Sequence, residues 1–298
     1  MRVTNRMTAD LISREIYRTQ QLLLKAQVKV ATGKKINRPS DDPIGMGKLL
    51  DYRKIISSVD QWQENITHGK SRLKMTSTVL DQVDTLLKQA KEWAMKFATG
   101  SDTTTDSALI EVKNLYDAIM NLANTRLGND YIFSGHRTHT VPFSRDENYN
   151  AAYAGDDGDI HIITGETNRV KINATGRDTF DVGATGGGTD IFGALKELID
   201  AMEAHDPTAA QAVVADLQDA IDQVQNVSTQ TSISYNQMVS VDDFLKKYKS
   251  NIEDMLGETE NADPARAIVE MQLLETTYTA CLETASRVIQ PSLVDFLR

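Results

Sequence analysis

Apolar residues return along this chain at intervals of three and four, the period of a helix that buries one stripe. From Leu49 the stripe continues through Tyr52, Ile56, Val59, Trp62, Ile66, Gly69, Leu73, Thr76, Leu80, Val83, Leu87, Ala90, Ala94 and Phe97. This is a coiled-coil seam with one irregularity, two steps of three falling together around Val59. No proline occurs between Pro43 and Pro142, so the pattern predicts one helix from about residue 44 to 98, ~80 Å long at 1.5 Å per residue. Thr99, Gly100, Ser101 and Asp102 end it, and Leu109, Val112, Tyr116, Ile119 and Ala123 predict a shorter helix running back.

A second long stretch, from Asp206 to Gly257, carries Leu217, Ile221, Val224, Tyr235, Met238, Leu245, Ile252 and Leu256 on one face, with Ser228, Thr231 and Asp242 interrupting the seam. Ile268, Met271, Leu274, Tyr278, Cys281, Ala285 and Val288 predict a last helix; Val3, Met7, Ile12, Ile16, Leu23, Ala26 and Val30 predict a first one, ended at Gly33. Asp42-Pro43, Asp206-Pro207 and Asp263-Pro264 each set a capping carboxylate before a proline suited to the first helical position. Three helices are expected to begin there.

The middle of the chain differs in kind. Ten of the seventeen glycines fall between Gly135 and Gly193, and the alternation in DIHIITG (159–165) and RVKINATG (169–176) predicts short strands joined by turns. The predicted fold is mainly α with a small β insert: a long antiparallel coiled-coil rod formed by the N- and C-terminal regions, with the β module in mid-chain. Residues 1–36 would form an N-terminal arm, 37–134 and 191–262 the two halves of the rod, 135–190 the insert and 263–298 a C-terminal arm. The element order is three helices, strands, then three helices.

Composition narrows the function. Of 298 residues 25% are charged, the net charge is −10 and only 6% are aromatic. An acidic chain gains nothing from neutralising phosphates, which argues against a nucleic-acid partner. No apolar run approaches the ~20 residues that span a bilayer, so no membrane insertion is expected. The first twenty residues lack the apolar core and cleavage site of a secretory signal, leaving a cytosolic protein or one exported without cleavage. Cys281 is the single cysteine, which rules out an intrachain disulfide and suits a small buried hydrophobe.

No reaction centre is legible. His136 and His139 in GHRTH, joined by His161, could ligate a metal in the β insert, but no carboxylate stands at helical spacing beside them. GATGGGTD (183–190) lacks the Gly-Lys-Ser/Thr of a phosphate loop, and GDDGD (155–159) lacks the glycine placement and distal Glu of an EF-hand, so each is expected to be a turn or junction. Asp41 and Asp42 are explained by a helix start. No catalytic, cofactor or metal residue is assigned, and a hydrolase or metal enzyme in the insert is the alternative from another functional class.

The ends of the chain are its greasiest parts. SRVIQPSLVDFLR (286–298) closes it, and Leu22, Leu23 and Leu24 stand in a row in the first arm. A two-helix coil buries one stripe of each partner, so consecutive apolar residues must place some of their surface outward, the mark of an interaction site.

Here the sequence resembles a known family. ATGKKINRPSDDPIGM (31–46), within the first fifty residues, is similar to the N-terminal region of the bacterial flagellin family; ETENADPARAIVEM (258–271) and ETASRVIQPSLVDFLR (283–298) are similar to its C-terminal region. NDYIFSGHRTHTVPF (129–143) and AYAGDDGDIHIITGETNRVKINATGRDTFDV (152–182) resemble the insert of hook-associated members, which join hook to filament. The resemblance implies an extracellular structural subunit, passed through the flagellar type III export apparatus without a cleaved signal. It implies no cofactor and a set of partners: further copies in a ring or short tube, an adjoining hook-associated protein, flagellin or other filament-side subunits, and an export chaperone on the C-terminal arm. A short filament flagellin is the alternative within the family. Carried over residue by residue, the assembly interface would be Val3, Met7, Ile12, Ile16, Leu23, Leu282, Val288, Leu293, Phe296 and Leu297. Asn37, Arg38, Pro39, Ser40, Asp41 and Asp42 would form a spoke between concentric shells.

Overall fold

In a computed structural model the protein is described over residues 5–100, 105–183 and 187–289. Seven helices and three two-stranded ribbons follow one another among these residues: α1 (Asn5–Thr32), α2 (Pro43–Ala98), α3 (Thr105–Ala123), β1 (Arg126–Leu127), β2 (Asp130–Tyr131), β3 (Phe143–Arg145), β4 (Ala151–Tyr153), β5 (His161–Ile163), β6 (Arg169–Lys171), α4 (Gly176–Phe180), α5 (Ile191–Glu203), α6 (Pro207–Glu260) and α7 (Pro264–Ile289). The mainly α fold with a small β insert is therefore observed. The helices start where the Asp-Pro pairs stand: Asp42 Oδ1 accepts the amides of Ile44 and Gly45 at 3.1 and 2.9 Å. Asp206 receives Thr208 and Ala209 at 2.9 and 3.2 Å, and Asp263 receives Ala265 and Arg266 at 2.9 and 3.2 Å. Proline at the first helical position wastes no donor, because those amides have no intrahelical acceptor.

The chain divides into two units, a terminal one (1–58 with 248–298) and a central one (59–247), and α2 and α6 contribute residues to both. In the central unit the seam of α2 is closed: Val59, Ile66, Leu80, Val83, Leu87, Ala90 and Ala94 are inaccessible, as are Leu217, Val224 and Met238 of α6. Thr231 and Asp242, polar interruptions of the α6 seam, are also buried. The Asp242 carboxylate receives Lys70 of α2 and Lys246 of its own helix at 3.0 Å each. Burial alone would raise its pKa, but hydrogen bonds from Lys246 and Lys70 and their charges outweigh that and hold it below the ordinary aspartate range.

The β insert consists of short strands joined by turns, as the alternation predicts, but they do not join into one sheet. Three separate antiparallel ribbons pair β1 with β2, β3 with β4 and β5 with β6, with Phe143 opposite Tyr153 and His161 opposite Lys171. Strands of two or three residues cannot make a sheet core of their own, so the insert borrows one from the helices. Phe133, Phe143 of β3, Phe180 of α4 and Phe192 of α5 surround one another, with ring centroids 5.3 Å apart for Phe133 and Phe180 and 5.0 Å for Phe143 and Phe180. Tyr116 of α3 joins through Phe192 at 5.4 Å. The β5–β6 ribbon seats on α2 at Gly69, where a Cβ would lie 2.5 Å from Ile162 Cδ1 and 2.8 Å from Met238 Cε; Asn65 Nδ2 donates to Ile163 O at 2.9 Å.

Two further ties join insert and helices. Gln223 of α6 donates to Thr179 O at 3.0 Å and accepts from the Thr189 amide at 2.7 Å. Arg72 of α2 is buried and donates to Tyr131 O and Ile132 O at 3.4 and 3.3 Å, while its Nε has no hydrogen-bond partner among the described residues. Burial pushes the Arg72 pKa down, partly offset by Asp130.

Candidate functional site

The residues the sequence marks for assembly lie on the paired helices α1 and α7 of the terminal unit. On α1 the least exposed positions are Ile12, Ile16, Thr19, Leu23, Ala26 and Val30, with Lys29 beside the last; on α7 they are Ala267, Met271, Leu274, Tyr278, Cys281 and Ala285. Both sets alternate steps of four and three, the heptad spacing that keeps one seam facing a partner helix, and the two helices contact each other extensively. Ala267, not Ile268, opens the α7 seam: Ile268 is 43% exposed. The sequence pattern slips by one because a step of three and a step of four are equally acceptable in the first turn.

The seam is thin. Thr19, Ala26, Ala267 and Ala285 are buried, whereas the larger Ile12, Ile16, Leu23, Met271, Leu274 and Tyr278 are only half-buried. The small residues bring the helices together, and with one partner the large ones keep a flank in water. Cys281 is half-buried in this seam, more open than expected of a core cysteine.

The outward faces are apolar as well. On α1, Met7 (61%), Leu11 and Tyr17 (66%) are exposed, as are Leu22, Leu24 and Val28; on α7, Val269, Leu273 (66%) and Leu282 are exposed. The assembly residues thus split: Ile12, Ile16 and Leu23 sit in the α1/α7 seam, Met7 and Leu282 face outward, and Val3, Leu293, Phe296 and Leu297 lie outside the described residues. Val288 is in the last turns of α7 and its side chain is outside the described set.

Between α1 and α2 the chain runs through the predicted spoke. Gly33 leaves α1 with φ +68, a conformation that suits a residue without Cβ. The next residues pair with the α6–α7 connection: Lys35 N donates to Glu260 O at 2.7 Å, Ala262 N donates to Gly33 O at 2.8 Å, and Lys34 and Asn261 form an antiparallel bridge. The Glu260 carboxylate, 7% exposed, lies against Lys34 Nζ and, at 2.7 Å, Arg53 Nη2. Sequence reasoning missed this junction, since nothing local distinguishes Glu260 from the other acids around it.

Within the spoke, Asp41 Oδ2 accepts the amides of Arg38 and Asn37 at 3.0 and 3.3 Å, and Asn37 Nδ2 donates to Lys34 O at 2.9 Å. Burial raises the Asp41 pKa, but these amide bonds and the ammonium of Lys25 at 3.6 Å together lower it. Pro39 and Ser40 are exposed, and Asp42 caps α2. An open groove of about 580 Å³ lies here, lined by Leu22, Leu24, Lys25, Arg38, Asp41 and Leu274 among others.

The histidines of the insert take other roles. His136 donates its amide to Asp156 Oδ1 at 2.6 Å, its ring Nε2 lies 3.2 Å from Asp159 O, and His139 pairs with Asp130 at 3.2 Å. Asp156 also accepts the Gly158 amide at 3.1 Å, so its carboxylate holds the backbone of GDDGD locally. The His136 bond is the main cause of the lowered Asp156 pKa. Among the described residues no group of three His, Cys, Asp or Glu side chains could hold a metal ion, and no helix is long and apolar enough to cross a membrane.

Comparison with known proteins agrees with this architecture. The family described as the bacterial flagellin N-terminal helical region matches residues 3–138. Flagellar hook-associated protein 3 of Escherichia coli is 27% identical over 306 aligned positions, covering 94% of this chain and 96% of that protein. Two crystal structures share the fold: hook-associated protein 3 of Legionella pneumophila, with a TM-score of 0.62 and 13% identity over 70% of this chain and 97% of that one, and FlgL of Bacillus cereus, with a TM-score of 0.60 and 19% identity over 70% and 99%. The chain thus carries the bacterial flagellin N-terminal helical region over residues 3–138 and is similar along nearly its whole length to a flagellar hook-associated protein 3.

Proposed function

We propose that this protein joins hook to filament, polymerising through its terminal helices into a ring or short tube outside the cell. The observation that carries the reading is the α1/α7 pair, which closes one thin seam and leaves Met7, Tyr17, Leu24, Val269 and Leu273 in water. Apolar surface on both faces of a two-helix unit is stable in an assembly and costly in a monomer. Neighbouring copies would cover these faces, with an adjoining hook-associated protein on one side of the ring and flagellin or other filament-side subunits on the other. Residues Asn37 to Asp42 would act as the spoke between shells. An export chaperone would cover the C-terminal arm before assembly, and export would proceed without a cleaved signal.

Deleting the gene tests this. The expected outcome is cells that build hooks and release flagellin into the medium but hold no filaments. Normal filaments in the deletion strain would overturn the reading, and growth of the purified protein alone into long filaments would favour a filament flagellin.

A further inference from the structure

Within the terminal unit the chain passes between the paired arms and the long helices twice, through residues 33–42 and through residues 261–263. Either connection alone is a swivel, because residues outside regular elements turn readily about φ and ψ. Here the two are fastened to each other. The bonds from Lys35 N to Glu260 O and from Ala262 N to Gly33 O flank the Lys34–Asn261 bridge, and Lys35 Nζ donates to Glu258 O at 2.7 Å. Ile36 is buried on the first turn of α2, where a Cβ on Gly45 would lie 2.6 Å from Ile36 Cδ1. The Glu260 side chain is enclosed at 7% exposure, while its partners Lys34 and Arg53 keep 43% and 49%. One acid thus ties the end of α6 to the α1–α2 connection and to α2 itself.

Two strands held side by side resist the rotation that each would allow by itself. Resting on the reading of the outer α1 and α7 faces as assembly surfaces, we infer that this joint presets the direction of the α1/α7 pair and that Glu260 is its positioning residue, needed for assembly although its carboxylate is spent inside its own chain. Arms free to swivel must be ordered as each subunit adds, an entropy cost that a joint fixed beforehand removes. The charges of Lys34 and Arg53 matter because the acid is the enclosed partner. Without them the carboxylate is stranded away from water, and opening the joint is how it regains hydration.

Charge changes at the joint test this in the full-length protein. Lys34→Gln/Arg53→Gln should speed amide exchange of Lys35 and Ala262, the donors across the joint, by about tenfold, while α1, α7 and the central unit keep wild-type protection. In the deletion strain the same variant should be exported and give about tenfold fewer filaments than the wild-type gene. Arg53→Glu alone should fail in the same way. Arg53→Glu/Glu260→Arg restores opposite charges across the same contact and should recover both slow exchange and filaments. That recovery separates positioning from a surface role, since an Arg53 that touched a neighbouring protein would leave the exchanged pair as defective as Arg53→Glu. Unchanged exchange at Lys35 and Ala262 in Lys34→Gln/Arg53→Gln, normal filaments from a chain whose joint exchanges fast, faster exchange spread through α1 and α7, or no recovery in the exchanged pair would each overturn the inference. Should Arg53→Glu unfold the chain, the neutral Lys34→Gln/Arg53→Gln variant still decides. Failure of the wild-type gene itself to restore filaments would instead sink the hook-to-filament reading.

Discussion

The central and terminal units use the same helical period to opposite ends. In the central unit α2, α3, α5 and α6 enclose the aromatic cluster, so Phe133, Phe180 and Leu195 are inaccessible. In the terminal unit one helix meets one helix, and the largest seam residues keep part of their surface in water. Periodicity alone does not say how many partners a stripe will meet. What separates the two cases is the density of apolar residues off the stripe: in the central unit Ile110, Ile233 and Phe244 stand singly on α3 and α6, whereas Met7, Leu11, Tyr17, Leu22, Leu24 and Val28 are all exposed on α1.

The difference breaks most visibly under truncation of a side chain. Phe180→Ala removes the ring shared by Phe133, Phe143 and Phe192 and should lower unfolding free energy by about 3–5 kcal/mol in a urea titration. Leu23→Ala in the half-open α1/α7 seam should cost about 1 kcal/mol, since roughly half the burial is lost. Equal losses would mean that the terminal seam is as closed as the core.

Alkaline titration sharpens the same contrast. Burial raises the Tyr116 pKa well above the ordinary phenol value, and raises that of Tyr153 to about 12. Both hydroxyls donate to backbone oxygens, Tyr116 to Tyr149 O at 2.9 Å and Tyr153 to Phe133 O at 3.0 Å. A folded-state pKa above the unfolded value of 10.0 means that stability is fully present below pH 10 and is lost as pH rises toward 12. Thermal melts should fall over that window, with Tyr153→Phe showing the shallower slope; a flat wild-type profile would contradict the burial of these phenols.

Acid acts through Asp242, whose pKa lies below 3.8 in the folded chain. Its contribution is present above pH 3.8 and is lost as pH falls through the folded-state value. Asp242→Asn should lower stability at neutral pH and flatten the acid limb of the profile. A smaller effect belongs to the caps: Asp42→Ala should cost about 1 kcal/mol, and Asp42→Asn much less, because an amide oxygen still accepts the Ile44 and Gly45 amides.

Much of this fold is legible because its signals are local. The Asp-Pro pairs start helices within one turn, and the α2 seam from Leu49 to Phe97 keeps its helical period apart from the one irregularity at Val59. The aromatic cluster is not legible: Phe133, Phe143, Phe180 and Phe192 come from four segments with no common spacing, and only closure of the chain brings them together. Arg72 is invisible for a related reason, since its burial goes with carbonyls that reach it from Tyr131 of β2 and from Ile132 just beyond it. The candidate assembly face reads partly from sequence: three consecutive leucines announce an outward apolar surface, but which of them enters the seam depends on Thr19 and Ala26, small residues that set how closely α7 approaches. The Glu260 junction joins segments 207 residues apart at Arg53 and leaves no trace in local pattern.

The outward face of α1 is the most direct test. Tyr17→Ser/Leu24→Ser changes two residues already in water, so urea unfolding of the purified chain should stay within ~0.5 kcal/mol of wild type. In the deletion strain the same variant should be exported and leave hooks without filaments. Normal filaments from that variant would contradict the assignment of this face to neighbouring subunits.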